Sequence, residues 1–348
     1  MSREENATLF LKHPIVPWAI TALMAMYVYV LTFHAKNRQP LGPSYDFYDT
    51  TVVTLRVRGD IAPPEVYGRF NNILEGDRQL IKGRMVEEDV YRITFQVNSP
   101  RPAVLYVQDE AMEVFLTPGD TSLTVNVSAH EAPFGIDSVI FRGKNANICR
   151  YYQLKTQRFR QVHIRSARNA TNSEDFPRFA ARLDSMAARE LAFLAEQEIF
   201  NTLPDWFADF EKSDILYQKG YLKLSAAVNR EVPDDLLDHL APQNPGAVFS
   251  YYYYLYLREY ITRLAPVADT SRRTLMHKHL AVAETLLDGE PHDVFFTWYI
   301  YDAIEAGQIE LAEELIRQYE EQFESNRYVR FLRTRIGEKK EEIKGIGG

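Results

Sequence analysis

Residues 15–33 read IVPWAITALMAMYVYVLTF, 19 positions without one charged side chain. A helix of about 20 apolar residues crosses a hydrocarbon core, so no other segment constrains the chain as strongly. Three readings compete for such a run: an uncleaved anchor, a cleaved signal peptide and a buried core helix. A core helix repeats polar positions every three or four residues, and none recurs here. A signal peptide has a shorter apolar stretch and closes on small residues. This run closes Val30-Leu31-Thr32-Phe33-His34. The expectation is an uncleaved transmembrane helix over 14–34, preceded by a tail at 1–13 and followed by a Pro/Gly-punctuated linker at 35–49. Trp18 near one end and Tyr27, Tyr29 and Phe33 toward the other suit the interfacial belts. Pro14 and Pro17 suit a first helical turn. The flanking cations, Arg3 and Lys12 against Lys36 and Arg38, nearly balance and leave the orientation open.

About 300 residues follow, enough for two domains. With a formal net charge of −8, and no basic stripe visible along the chain, no nucleic-acid partner is expected. Cys149 is the single cysteine. That excludes a lipid-modified N-terminal cysteine, an intrachain disulfide and a Cys-x-x-Cys centre.

From residue 50 the hydrophobic period becomes two. Val53, Leu55 and Val57 alternate with Thr54, Arg56 and Arg58, as a half-buried strand requires. Further strands are expected at 65–70, 90–97, 103–106, 112–116, 122–127 and 136–141. Turn signals such as Arg58-Gly59-Asp60 and Pro118-Gly119-Asp120 separate them. This pattern predicts an antiparallel β-sandwich or open barrel over 50–145. The pattern turns helical at Gly143-Lys144-Asn145-Ala146-Asn147, where Asn145 or Asn147 supplies a cap. Helices are expected at 146–168, 173–200, 205–229, 234–239, 247–264, 270–287, 293–306, 309–324 and 328–344, with Asp293 capping its helix. The fold class is α+β: a β domain, then an all-α bundle or short helical-hairpin array over 146–344, and a tail at 345–348. The pair 293–306 and 309–324, joined at Gly307, resembles one unit of stacked hairpins.

Few residues offer chemistry. Cys149 sits near a helix start beside Arg150, which is the setting of a reactive thiol; buried apolar packing is the competing reading. His277 and His279 are two apart and face different sides of a helix. No His or Cys spacing indicates zinc, so no metal and no cofactor are expected. The run Tyr251-Tyr252-Tyr253-Tyr254-Leu255-Tyr256, with Tyr260 beyond it, is the most unusual composition. Four consecutive tyrosines on a helix cannot share one face. Packing in the bundle competes with a partner surface built from Tyr251, Tyr252, Tyr253, Tyr254, Tyr256 and Tyr260, because tyrosine joins apolar area to a polar tip. No phosphate loop or nucleophile elbow is present. Glu87-Glu88-Asp89 reads as a solvated turn.

Two stretches carry a resemblance. Val114-Phe115-Leu116-Thr117-Pro118-Gly119-Asp120-Thr121-Ser122-Leu123 resembles the Pro-Gly-Asp hairpin of the N-terminal region of TlpA-like, thioredoxin-like envelope proteins of Bacteroidetes-type bacteria. Val139-Ile140-Phe141-Arg142-Gly143-Lys144-Asn145-Ala146-Asn147 is similar to that family's Gly-x-x-Ala-Asn junction into its first helix. The resemblance covers about a third of the chain. It implies a periplasmic body on an inner-membrane anchor. The family's Cys-x-x-Cys lies in a closing thioredoxin domain that this chain lacks, so no catalytic residue carries over. Two functions follow as expectations. One is a non-catalytic binding or scaffold module, with an envelope partner such as a dithiol oxidoreductase. The other is the front part of a split or truncated thiol-disulfide oxidoreductase.

Overall fold

The alternation of apolar and polar residues from Asp49 onward builds two stacked sheets, and eight helices follow among the described residues. The computed structural model describes residues 49–59, 64–71, 78–97, 99–131, 134–159, 164, 175–201, 203–227, 240–265 and 271–346. The expected anchor at 14–34 and the expected short helix at 234–239 lie outside these residues. No helix among the described residues is long and apolar enough to cross a membrane.

The strands are β1 (Asp49–Arg58), β2 (Val66–Asn71), β3 (Arg78–Lys82), β4 (Arg84–Glu87), β5 (Val90–Val97), β6 (Arg101–Val107), β7 (Glu110–Leu116), β8 (Thr124–Glu131) and β9 (Phe134–Arg142). One sheet has the order β4-β5-β1-β8-β9 and the other β3-β2-β6-β7. Their inward faces share one core, which includes Val53, Leu55, Ile93, Phe95, Leu105, Val107 and Val114, all fully or almost fully buried. Phe70 of β2 meets Phe95 of β5 edge-on across it, with ring centroids 5.4 Å apart. The expectation of a purely antiparallel arrangement is corrected at one place: β1 pairs with β8 in parallel, Thr54 beside Thr124 and Val57 beside Val127. A parallel neighbour needs a crossover, and β2 to β7 supply it: β2, β3, β6 and β7 form the second sheet, while β4 and β5 return to the first.

The strand-to-helix switch falls where the sequence places it. Gly143 takes φ +111°, and a side chain there would reach 2.5 Å from the Ser122 carbonyl oxygen. The helices are α1 (Ala146–Phe159), α2 (Phe176–Asn201), α3 (Asp205–Ala226), α4 (Tyr251–Leu264), α5 (Arg272–Leu286), α6 (Gly289–Glu305), α7 (Ile309–Tyr319) and α8 (Asn326–Ile346), with short 3₁₀ turns at Pro245–Ala247 and Glu320–Gln322. The expected helix at 247–264 is therefore broken, and Ser250 starts α4 by accepting the Tyr253 N–H at 3.2 Å.

The cores do not divide at residue 146. Ile148, Tyr151 and Tyr152 of α1, Phe193 of α2 and Phe207 of α3 belong to the same core as the strands. The rings of Phe115 and Phe207 stand 5.3 Å apart, joining β7 to α3. A second core unites α4 to α8 around α6. There every residue from Pro291 to Ile304 except Asp302 is buried, so α6 shows no polar face. Asp293 does not cap α6, which already begins at Gly289. Its carboxylate instead accepts the N–H groups of Glu324 (3.2 Å) and Ser325 (3.1 Å), in the loop that leads into α8.

Candidate functional site

The tyrosine-rich helix divides its side chains between two tasks and a surface. Tyr253, Tyr254 and Tyr256 are buried, Tyr252 and Tyr260 are half-buried, and Tyr251 is 36% exposed. Tyr253 and Tyr256 lie three apart and so share a face. That face meets Tyr217 of α3, whose ring centroid is 4.8 Å from that of Tyr253 and 5.2 Å from that of Tyr256. Together the three phenols fasten an irregular strap. Tyr256 donates to the Leu240 carbonyl (2.9 Å), Tyr217 to that of Ala241 (2.7 Å) and Tyr253 to that of Pro242 (2.5 Å). Asn244 returns to the same rings: its N–H donates to the Tyr253 oxygen at 3.3 Å and its side-chain amide to the Tyr217 oxygen at 3.0 Å. A strap without helix or sheet pairing needs donors for its carbonyls, and three tyrosines supply them in succession. Burial pushes the Tyr253 and Tyr256 phenols well above the usual range.

Tyr254 faces the other way. Its hydroxyl donates to Asp302 Oδ2 of α6 at 2.9 Å. Its ring meets Trp298 edge-on at 4.8 Å, and the Arg258 guanidinium lies 6.0 Å from its centroid. Burial raises the Asp302 carboxyl above the ordinary aspartate value, against the opposing Tyr254 hydrogen bond and the charges of Arg258 and Arg272. Arg272 of α5 donates to the Asp302 carbonyl oxygen at 2.9 Å. Nearby, His279 Nδ1 lies 2.5 Å from the Tyr299 hydroxyl, and burial lowers the imidazole, which favours its neutral form. The half-buried Asp302 carboxyl and Arg258 guanidinium thus stand beside the buried phenols of Tyr254 and Tyr299.

Cys149 lies elsewhere, on α1 against β7. It is 0% exposed, and its Sγ accepts the Phe115 N–H at 3.3 Å. Burial pushes the thiol up to about 12. The helix start and Arg150, which made the position suspect in the sequence, do not offset that burial. Arg150 is exposed.

Beside it is a charged hub. Lys155 of α1 places its Nζ 2.6 Å from Glu211 of α3 and 2.7 Å from Glu190 of α2. Both carboxylates are almost fully buried, and Glu211 also accepts from Tyr151 (3.1 Å) and Tyr152 (2.7 Å). The Ile164 N–H donates to Glu190 at 2.6 Å. The hub joins three helices. Its sequence signal is an acid inside an apolar stripe: Glu190 follows Leu183, Met186 and Ala187, and Glu211 follows Phe207 and Ala208.

The two stretches that carry the family resemblance meet in space. The Asn145 side-chain amide donates to Thr117 Oγ1 and to Asp120 Oδ2, both at 2.8 Å. The Lys144 N–H donates to Ser122 Oγ at 3.1 Å, and Thr51 Oγ1 donates to the Thr117 carbonyl at 2.8 Å. The Pro-Gly-Asp turn thus fixes the base of α1. Among the described residues no three His, Cys, Asp or Glu side chains come together as metal ligands. Comparison with protein-family models and with curated proteins gives no match.

Proposed function

We propose that this chain is a membrane-anchored periplasmic binding or scaffold module that works beside thiol-redox proteins. One observation argues against a redox role for the thiol that this chain itself carries. The only cysteine, Cys149, is fully buried, hydrogen-bonded to a backbone N–H and held protonated. Thiol–disulfide exchange needs an accessible thiolate, so Cys149 does not supply it, and the reading takes the dithiol from a partner. The uncharged segment at 15–33 supports the anchor. The resemblance supports the envelope location. Of the tyrosine run, Tyr251, Tyr252 and Tyr260 keep exposed area for a partner, whereas Tyr253, Tyr254 and Tyr256 serve the interior.

A photo-crosslinking side chain at Tyr251 or Tyr252, in the full chain in its membrane, tests this. The expected adduct is with an envelope protein bearing Cys-x-x-Cys, and it persists in Cys149→Ala. An absence of adducts with any envelope protein sinks the reading. An adduct lost in Cys149→Ala returns the redox role to this chain.

A further inference from the structure

Five arginines that stand apart in the sequence share one face of the five-stranded sheet. On β1 the buried Val53, Leu55 and Val57 turn Arg56 and Arg58 outward. Paired residues point to the same side of a sheet, so the register extends that face. Thr54 is opposite Arg92 of β5 and beside Thr124 of β8. Arg92 is opposite Arg84 of β4, and Thr124 is opposite Arg142 of β9. One row across the sheet therefore reads Arg84, Arg92, Thr54, Thr124, Arg142. Strands stand about 4.8 Å apart, so the row spans roughly 19 Å. Arg56 and Arg58 occupy the next two rows.

All five arginines are exposed, and none has an ion-pair partner among the described residues. The carboxylates adjoining the face are Glu87, paired with Val90 at its rim, Glu88 and Asp89 in the same turn, where the Asp89 carbonyl accepts the Val57 N–H, and Asp137, which lies 3.0 Å from His130; the five arginines outnumber them. A chain of net charge −8 thus collects a cationic, hydroxyl-rich sheet face. Guanidinium forks match phosphate oxygens bidentately. Among the described residues the outward strand positions carry no Phe, Tyr or Trp on which a nucleic-acid base could stack, only the His130 imidazole at the edge, which argues against a single-stranded polynucleotide. β1, the middle strand, begins at Asp49, only about 15 residues past the expected anchor. A linker of that length reaches at most about 50 Å, which keeps this face within range of the headgroups.

We propose that the arginine face docks on the anionic phospholipid headgroups of the membrane that holds the chain. The inference rests on the reading of 14–34 as an uncleaved anchor. Each cation at an anionic surface favours the docked state about fivefold.

The test uses the full chain reconstituted in vesicles of phosphatidylcholine alone or mixed with phosphatidylglycerol. Thr94→Cys on this face carries a fluorescence donor, and the headgroups carry an acceptor; buried Cys149 stays unlabelled. Glu110→Cys, on the other sheet, is the control. Energy transfer from position 94, but not from position 110, is expected to rise with phosphatidylglycerol. It is expected to fall back in about 0.5 M salt. In the triple variant Arg56→Gln, Arg92→Gln, Arg142→Gln, with its circular dichroism unchanged, the docked-to-free ratio drops on the order of a hundredfold. Equal transfer in both lipid mixtures overturns the proposal. So does arginine-dependent binding of a soluble acidic polysaccharide without any response to lipid. Release of the chain from neutral vesicles by alkaline carbonate removes the anchor itself, and with it the basis of the inference.

Discussion

Gly68→Ala puts the closest approach of the two sheets to a test. Gly68 lies on β2 and is buried. A Cβ there would stand 2.3 Å from Phe95 Cζ, 2.7 Å from Cε1 and 3.2 Å from Ile93 Cγ2. Carbon atoms pack best at about 3.5–4.0 Å, so the Phe95 ring must retreat by more than about 1 Å. It has nowhere free to go: Phe95 and Ile93 are 0% exposed, and Phe95 already meets Phe70 edge-on. Overpacking of this kind costs about 1–3 kcal/mol. Replacing a strand glycine returns about 0.5–1 kcal/mol of backbone entropy. The clash wins, and the net loss is about 1–2 kcal/mol. For a chain of this size that lowers the melting temperature by several degrees, read by circular dichroism on the full chain. The decisive measurement is a double-mutant cycle. Phe95→Leu removes Cζ and Cε1, so Gly68→Ala in that background should be close to neutral, a coupling of about 1–2 kcal/mol. An equal cost in both backgrounds, or stabilisation by Gly68→Ala alone, refutes the argument that the glycine exists for the ring.

Three further outcomes are expected. Tyr256→Phe and Tyr253→Phe each strip a donor from a strap carbonyl and should cost about 1–2 kcal/mol in urea titration, while Tyr251→Phe at the surface stays within about 0.5 kcal/mol; equal effects at all three would contradict the fastening role. Cys149 keeps its proton in the folded state up to about 12, against 9.0 for the reference thiol, so its contribution to stability is full below pH 9 and is lost as pH rises toward 12. Cys149→Ala should therefore flatten part of the alkaline loss, with the raised phenols of Tyr253 and Tyr256 supplying more of it, and native Cys149 should resist alkylation at pH 8 until denaturant is added. Burial raises Asp302, so the native state holds that proton more tightly and the stability this provides is lost as pH rises past the ordinary aspartate range. Asp302→Asn, which stays neutral, should gain stability relative to wild type between pH 3 and pH 7, and a relative loss over that interval in chemical denaturation would reverse the assignment.

Much of the chain was legible because burial leaves a period in the sequence. β1 and β5 each present alternate residues to one core, and their alternation marked them as strands. β3 and β4 gave no such signal. They are short edge strands joined through Gly83, and all four residues of β4 are exposed. Pairing direction has no local signature either, so the parallel β1–β8 neighbours emerge only when the second sheet is inserted between them. Asp293 looked like a cap because acids cap helices. In α6 the burial of nearly every position hides the helix start, and the acid serves a loop more than 30 residues away. The tyrosine run could be recognised as having more than one task, since a helix cannot turn four consecutive residues to one side. Which phenol met which carbonyl depended on a strap that carries no motif.

Charge shows the same limit from the other direction. The total of −8 describes the far field of the body, and it argued against a nucleic-acid partner. Arg56, Arg58, Arg84, Arg92 and Arg142 are separated along the chain by acidic turns such as Glu87-Glu88-Asp89, so no window of sequence reads as basic. Period two sends each of these arginines outward, and register then brings four strands' worth of them onto one surface. At an ionic strength of about 0.15 M, fields fade within about 8 Å, so a headgroup meeting this face feels the arginines and little of the distant carboxylates. Exclusion of a partner class by net charge therefore holds for long-range attraction, and it does not hold for a face. The sign that matters at contact is set by strand register.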